Sequence, residues 1–490
     1  MNEVPAAKKA EKAISTKEVV ISLYKAQEKV YPRSVSGFFT KWRWVIIWLT
    51  QLFFYGMPWI QLGQRQALLF DLEARRFYIF NLVLYPQDLI YLTAILIISA
   101  LSLFLFTAIA GRLWCGYACP QTVYTEIFLW IERKIEGDRA ARMKLDTGAM
   151  TGSKLFKKAS KQFVWIIFAL WTGFTFVGYF TPIRELSQSV LSLSLGPWET
   201  FWVLFYGFAT YGNAGYMREQ VCKYMCPYAR FQSAMFDDDT LIVTYDEARG
   251  EPRGGRSRKV DSESLKLGSC IDCNLCVQVC PTGIDIRKGL QYECIGCGAC
   301  ADVCDTVMDK MGYPRGLVKY STQHAVTNNW TRSQMLQRIV RPRVLIYAAI
   351  LSSLVVGLLL SLWFRTPFRV DVVRDRGVMA RLSDDGKLEN VYRLQIMNGT
   401  EATQHYRLSA TGLKDLEIEA EDRDKDKNDV EDMKFSHSIM VKPAESRWLI
   451  VDLKIPDGSV ESGSHKIQFE IEAVESKEKI TEKSVFLVPR

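Results

Sequence analysis

The sequence predicts a polytopic α-helical membrane protein of about five spans, joined to a small cysteine-rich α+β module and a C-terminal β-sandwich. Three observations predict this. Apolar runs near the roughly 20 residues that cross a bilayer recur up to Phe364. All twelve cysteines lie between Cys115 and Cys304, each inside a short motif. From Arg369 onward, long apolar runs give way to strand-like alternation. A chain of 490 residues has room for several such modules. Clustered cysteines argue against a disulfide framework, which would scatter them through a secreted domain. They point instead to metal ligation by reduced thiols.

Residues 1–37 read as a basic cytoplasmic tail. The start, "MNEVPAAKKAEKAISTKEVV", lacks the apolar core and cleavage site of a signal peptide. Residues 38–235 hold four expected spans: about Trp42–Ile60, Asp88–Ala110, Gln162–Phe180 and Pro197–Met217. The last of these is interrupted by Glu199 and several glycines. The fifth span, within 344–365, is "VLIYAAILSSLVVGLLLSLWF". Trp42, Trp59, Trp198 and Trp363 fall near span ends, as an aromatic belt requires. The alternative, buried helices of a soluble protein, fits poorly with the long second and fifth runs. The loop after the second span is rich in lysine and arginine, whereas the loops after the first and third are not. By the positive-inside rule, the N-terminus, 111–161 and 218–343 face the cytoplasm, and everything after Phe364 lies outside.

Residues 236–343 contain a linker and the strongest chemical signal. "CIDCNLCVQVCP" (270–281) and "CIGCGACADVC" (294–304) each read Cys-x-x-Cys-x-x-Cys-x-x-x-Cys. Three thiolates so spaced wrap three corners of one iron–sulfur cube, and the fourth reaches the other cube. The expected ligands are Cys270, Cys273, Cys276 and Cys304 for one 4Fe-4S cluster. Cys294, Cys297, Cys300 and Cys280 serve the second. Four-cysteine zinc sites usually separate their two pairs by a longer stretch. The module therefore reads as a two-cluster ferredoxin-like domain, an electron wire that needs a donor and an acceptor. Gly296 and Gly298 give backbone amides access to the sulfurs, and Asp305 stands where a proline usually follows the last cysteine.

Two further thiol pairs follow apolar runs: Cys115/Cys119 in "LWCGYACPQTVY" and Cys222/Cys226 in "QVCKYMCPYARF". Each pair has i, i+4 spacing and is followed by a proline suited to open a helix. Cys119 and Cys226 are then expected at helix N-termini, where the dipole favours thiolate. Soft thiolates converging at the membrane surface suit Cu(I) better than hard ions. The bland reading, small apolar residues in membrane helices, does not account for the repeat. Spans one–two and three–four look like a weak internal repeat, with a site between them. Cys115, Cys119, Cys222 and Cys226 are therefore the candidate catalytic and copper-contacting residues.

The four histidines, His324, His405, His437 and His465, lie outside the spans, which argues against membrane haem b. No G-x-G-x-x-G follows a strand, and no nucleic-acid partner is expected. Residues 366–490 alternate as strands, with Tyr392, Leu394 and Ile396 on one face before an Asn398-Gly399 turn. About seven short strands suggest an immunoglobulin-like sandwich that docks a partner outside the membrane. The charged run Glu419–Asp429 reads as a solvated loop.

Two Cys-x-x-x-Cys-Pro motifs, a two-cluster ferredoxin, a fifth span and an outer sandwich resemble the cytochrome c oxidase accessory proteins of the CcoG family, also called FixG or RdxA. The segment "MFDDDTLIVTYDEARGEPRG", Met235–Gly254, resembles theirs as well. The resemblance implies a bacterial inner-membrane protein that reduces Cu(II) to Cu(I) for assembly of a cbb(3)-type oxidase. It implies membrane lipid, copper, oxidase subunits or copper chaperones, and an unidentified electron donor as partners. Two other classes compete: a quinol dehydrogenase relaying electrons to another redox protein, and a non-enzymatic scaffold.

Overall fold

The computed structural model describes residues 29–63, 65–258, 266–375, 380–383, 385–422 and 439–489. Most of the expected basic tail, His437, and the charged run beyond Asp422 lie outside these residues.

Among the described residues, nine helices build the N-terminal part: α1 (Phe38–Gly56), α2 (Leu89–Ala110), α3 (Leu113–Tyr117), α4 (Pro120–Glu136), α5 (Arg139–Thr147), α6 (Gly152–Val177), α7 (Ile183–Leu191), α8 (Pro197–Thr210) and α9 (Pro227–Met235). Among the described residues, three helical stretches are long and apolar enough to cross a membrane: Pro86–Ala110, Gly152–Val177 and Pro342–Trp363. They correspond to the second, third and fifth expected spans. The first and fourth form helices of a different character. The apolar run of α1 is broken by Lys41 and Arg43, and Arg43 is buried against Glu126. Helix α8 has only 14 residues before the chain switches to a π-turn over Tyr211–Met217.

Helix α2 lies antiparallel to Pro342–Trp363. The Tyr91 hydroxyl donates to the Ser361 carbonyl at one end, and the Arg341 guanidinium donates to the Ala108 carbonyl at the other. Helices α6 and α8 meet closely at Gly173, where an added Cβ would fall 2.3 Å from the Val203 carbonyl oxygen. Small residues permit such backbone approach between membrane helices.

The loop after α1 is not plain. It forms a two-stranded and a three-stranded sheet within Gln61–Leu84. Leu69, Tyr78, Val83 and Tyr85 pack there with Met397 and Ala444 of the C-terminal sandwich. Asp88 is fully buried and pairs with Arg365 at 2.7 Å and Arg369 at 3.3 Å.

The cysteine-rich module has an antiparallel pair, Ile242–Tyr245 with Val318–Ser321, and a helix over Ala299–Met311. Val243, Tyr245, Ile286, Ala301, Met308 and Val318 form its core. Asp302 on that helix accepts hydrogen bonds from the Phe39 and Thr40 backbone amides at 3.1 and 2.7 Å. A carboxylate at the first turn of α1 suits the helix dipole and fastens that helix to the module.

The C-terminal domain is a sandwich. One sheet orders its strands Glu417–Asp422, Ser446–Pro456, Lys387–Asn398, Phe368–Arg374, with Arg381–Leu382 also on the long strand. The other runs Ile439–Val441, Gln404–Thr411, Gly463–Ala473, Lys479–Val488. The described residues thus hold nine strands rather than seven. Tyr392, Leu394 and Ile396 are fully buried between the sheets, on the face that the alternation selects. Glu419–Asp422, expected in a loop, instead continue a strand paired with Ser446–Pro456. The Asn398 amide donates to the Ala402 and Lys442 carbonyls at 2.8 and 3.0 Å, so this side chain serves the turn.

Candidate redox centre

Each Cys-x-x-x-Cys-Pro motif opens a helix. Cys119 is the N-cap of α4 and Cys226 the N-cap of α9, each followed by proline at the first helical position. Proline fits there because its missing N–H has no partner in the first turn. Before the prolines the two motifs differ. Cys115 sits in α3, whereas Cys222 sits in a π-turn, Val221–Met225, after Arg218 in a left-handed conformation at φ 42°. Such π-turns concentrate at functional sites.

The motifs interlock. The Cys115 Sγ lies 3.4 Å from the Gln232 amide on α9. Gln121, just after Cys119, donates to the Asn213 and Arg218 carbonyls at 2.9 and 3.0 Å. Arg112 bridges the Ala229 carbonyl and the Tyr292 carbonyl of the cysteine-rich module. In consequence Cys115, Cys119, Cys222 and Cys226 are brought together, every pair in electrostatic reach.

The other eight thiols sort into two further groups. Cys276 and Cys304 face each other, Cys270 and Cys273. Cys280, Cys294, Cys297 and Cys300 all face one another. A small cavity is lined by Cys270, Cys273, Cys276 and Cys304, and a second by Cys280, Cys294, Cys297 and Cys300. Cys276 also lines the second cavity, so the two groups abut. The donor sets are all-thiol, and the Gly296 amide points at the Cys294 sulfur at 3.4 Å. Both groups fit the crossed cluster ligation that the spacing implies. Among the described residues no three Cys, His, Asp or Glu side chains form a mononuclear metal group.

Asp305 does not loosen the turn. The helix runs through Cys304 and Asp305 to Met311, and the Asp305 carboxylate accepts the Gly316 amide at 2.8 Å. Gly296 and Gly298 both have left-handed backbones, at φ 64° and 73°. Burial pushes the Cys115 thiol up to about 11 and the Cys222 thiol up to about 12. It also raises Cys119, despite hydrogen bonds from the Gln121 and Thr122 amides. The helix N-terminus alone therefore does not ionise these thiols.

The thiol group at the membrane helices rests directly on the cysteine-rich module. A Cβ at Gly116 would lie 2.8 Å from the Ile295 carbonyl oxygen and 2.9 Å from the Cys297 Cα.

This arrangement matches known proteins. Residues 217–323 match the family described as "4Fe-4S dicluster domain", residues 92–137 a "4Fe-4S binding domain", and residues 358–489 the "IG-like fold at C-terminal of FixG". The chain is 36% identical over 422 residues to "Nitrogen fixation protein FixG" of Rhizobium meliloti, covering 80% of each chain. It is 39% identical over 408 residues to "Protein RdxB" of Cereibacter sphaeroides, covering 82% of this chain and 85% of that one. "Protein RdxA" of the same organism is 38% identical over 400 residues. The chain belongs to the FixG family. As a member it is an iron–sulfur redox protein with ferredoxin-type 4Fe-4S domains and an immunoglobulin-like C-terminal domain. A solved FixG-related protein from Vibrio parahaemolyticus is 25% identical, with a TM-score of 0.21, and covers 25% of this chain and 97% of its own.

Spacing alone missed several residues around the FixG-family redox centre. Arg43 is buried beside Cys297 and pairs with Glu126 at 3.0 Å. Glu132 is buried with Arg142, Lys161 and Arg218. A charge inside an apolar run, as at Arg43, is the signal that could have found the first. Gln232 carries no such signal.

Proposed function

We propose that this chain is a five-span inner-membrane protein that reduces Cu(II) to Cu(I) for assembly of a cbb(3)-type oxidase. In this reading the N-terminus and cysteine-rich module are cytoplasmic and the sandwich is periplasmic. Cys270, Cys273, Cys276 and Cys304 hold one 4Fe-4S cluster, and Cys280, Cys294, Cys297 and Cys300 the other. When bound, the clusters supply one-electron carriers. Each Cu(II) gains one electron and leaves as Cu(I), with no proton transferred. The electron comes from a cytoplasmic one-electron reductant.

The chain's own residues arrange this. The stretch from Ile295 to Cys297 presses its backbone against Gly116. Arg112 ties Tyr292, just before that stretch, to α9. The thiols of Cys115, Cys119, Cys222 and Cys226 then form the site where the substrate copper meets the electrons. Oxidase subunits or copper chaperones take the product, and the sandwich offers them a docking domain. The observation that carries the reading is the seating of the four-thiol site on the Ile295–Cys297 backbone. Soft sulfur surroundings favour Cu(I) over Cu(II), which biases the reaction forward.

The test is anaerobic mixing of dithionite-reduced, purified protein with Cu(II), followed by absorbance and by a Cu(I) chelator. Stoichiometric cluster oxidation and Cu(I) formation are expected, both lost in a Cys115→Ser/Cys119→Ser/Cys222→Ser/Cys226→Ser variant. Reduced protein that reacts with a quinone and not with Cu(II) would overturn the reading.

A further inference from the structure

We propose that the buried ion pair of Arg43 and Glu126 tunes the cluster at Cys280, Cys294, Cys297 and Cys300, the cation raising its reduction potential and the carboxylate lowering it. The inference rests on the cluster ligation of the functional reading and does not depend on copper.

Arg43 is a buried cation that no step above uses. It is 7% exposed within the apolar run of α1, and its Nε is buried without a hydrogen-bond partner among the described residues. A buried polar group left unpaired is rare enough to need a physical reason. Helix α1 is pressed onto the cysteine-rich module. Asp302 accepts the Phe39 and Thr40 amides, and a Cβ at Gly298 would fall 2.9 Å from the Phe39 Cβ. Arg43 stands one turn beyond Phe39 on the same helix face. Two small cavities are both lined by Arg43, Glu126 and Pro281, the residue after Cys280. Ile295 also lines the first and Ala299 the second, so the ion pair meets the chain on both flanks of Cys297. Both of its charges act on the Cys297 sulfur.

The local balance of charge is positive. Glu126 pairs with Arg43 at 3.0 Å and with Arg133 at 2.8 Å, one carboxylate between two guanidiniums. Arg112 adds its charge at Cys294. The other thiol group has the opposite surroundings. Its cation, Arg287, pairs with both Asp272 and Asp285, and Asp305 acts on Cys304. Reduction adds one electron and no proton to a cubane, which becomes more negative. Burial of Cys297 opposes that added charge. A buried cation beside it lowers the cost, and a buried anion raises it. Arg43 therefore favours arrival of the electron at the centre that rests on Gly116.

The test is anaerobic potentiometric titration of the reconstituted full-length chain in detergent, followed by low-temperature electron paramagnetic resonance. Iron and acid-labile sulfide per chain are measured alongside. Arg43→Gln should move one of the two centres to lower potential. The expected size is about tenfold in its reduced-to-oxidised ratio at fixed potential, or about 59 mV for one electron. Glu126→Gln should move the same centre to higher potential, and Arg43→Lys should restore most of the unaltered value. The other centre should stay in place in all three. An ion pair that only fastens α1 to α4 would move both glutamine variants in one direction or neither, and that result overturns the inference. If Arg43→Gln does not fold, Glu126→Gln decides alone: an unmoved or lowered potential overturns it. Two cubanes' worth of iron with unmoved potentials would sink this inference and leave the functional reading standing. Potentials that move as expected in a protein that does not reduce Cu(II) would sink the copper reading alone.

Discussion

Glu132 is the residue whose loss should most damage the scaffold of the thiol site. Its carboxylate is about 1% exposed and faces Arg142 at 3.1 Å, Lys161 at 3.3 Å and Arg218 at 3.1 Å. Burial would raise its pKa, but Arg218, Lys161 and Arg142 together hold it below the ordinary carboxylate value. Glu132→Gln keeps the shape and removes the charge. Lys161 retains Glu136 at 2.8 Å, and Arg142 retains the Pro32 carbonyl. Arg218 retains the Gly215 carbonyl at 2.9 Å but loses its carboxylate partner while about 8% exposed. Leaving a buried charge uncompensated costs about 3–5 kcal/mol. For a unit of this size that is a melting shift of roughly 6–20 °C. Arg218 also sets the left-handed corner before Cys222, so the four-thiol site should loosen with it. Differential scanning fluorimetry in detergent reads the first effect, and the rate of Cu(II) reduction the second. A Glu132→Gln protein that melts with the unaltered one would show that the cations do not need this carboxylate, and the reasoning would fall.

Three other outcomes follow from the same structure. Gly116→Ala places a methyl group 2.8–2.9 Å from backbone atoms of Ile295, Gly296 and Cys297, which cannot rotate away; overpacking of about 1–3 kcal/mol is expected, and an unaltered melt would refute the close seating. Asp305→Pro breaks the helix that carries Cys304, at a cost of about 3 kcal/mol or more, so the iron expected at Cys270, Cys273, Cys276 and Cys304 should be lost first; retention of full iron would show the helix does not matter there. Asp146 is held well below the carboxylate range: burial opposes this, but hydrogen bonds from Lys158, Lys29 and Tyr31 prevail. Its folded pKa is depressed, so its contribution is present above the ordinary value near 4 and is lost as pH falls toward the folded one. Melting temperature should therefore drop on acidification below about pH 4, and Asp146→Asn should flatten that slope.

What could be read from the chain, and what could not, divides along one physical line. Spacing encodes local ligation, so the grouping of Cys270, Cys273 and Cys276 was legible. The crossover to Cys304 needed only the known habit of paired cubanes. Alternation encoded the buried face of Tyr392, Leu394 and Ile396 for the same reason. Non-local charge pairing leaves no periodic trace. Arg43 sits in an apolar run and reads as a flaw in a span, until Glu126, 83 positions on, is seen to neutralise it. The change from α8 to a π-turn at Tyr211 was not legible either, because hydropathy does not record helix type. Asp305 stands where a proline usually follows, and that the helix continues through it to Met311 was not legible from the substitution.

Sidedness is the remaining step, and the packing reduces it to one binary choice. The sheets of Gln61–Leu84 and the C-terminal sandwich share a core, and Asp88 binds Arg365 and Arg369. Both therefore sit at one end of the α2 and Pro342–Trp363 pair. At the other end, Arg341 reaches the Ala108 carbonyl and the Asp237 carboxylate at 2.9 Å, beside the cysteine-rich module. The two ends cannot exchange separately: placing one places the other. The basic stretch from Arg133 to Lys161 lies on the module's side of α2, held by buried carboxylates only in part. In the proposed reading, positive-inside bias puts the module's end on the cytoplasmic face, and the sandwich at the other end is a dock for partners.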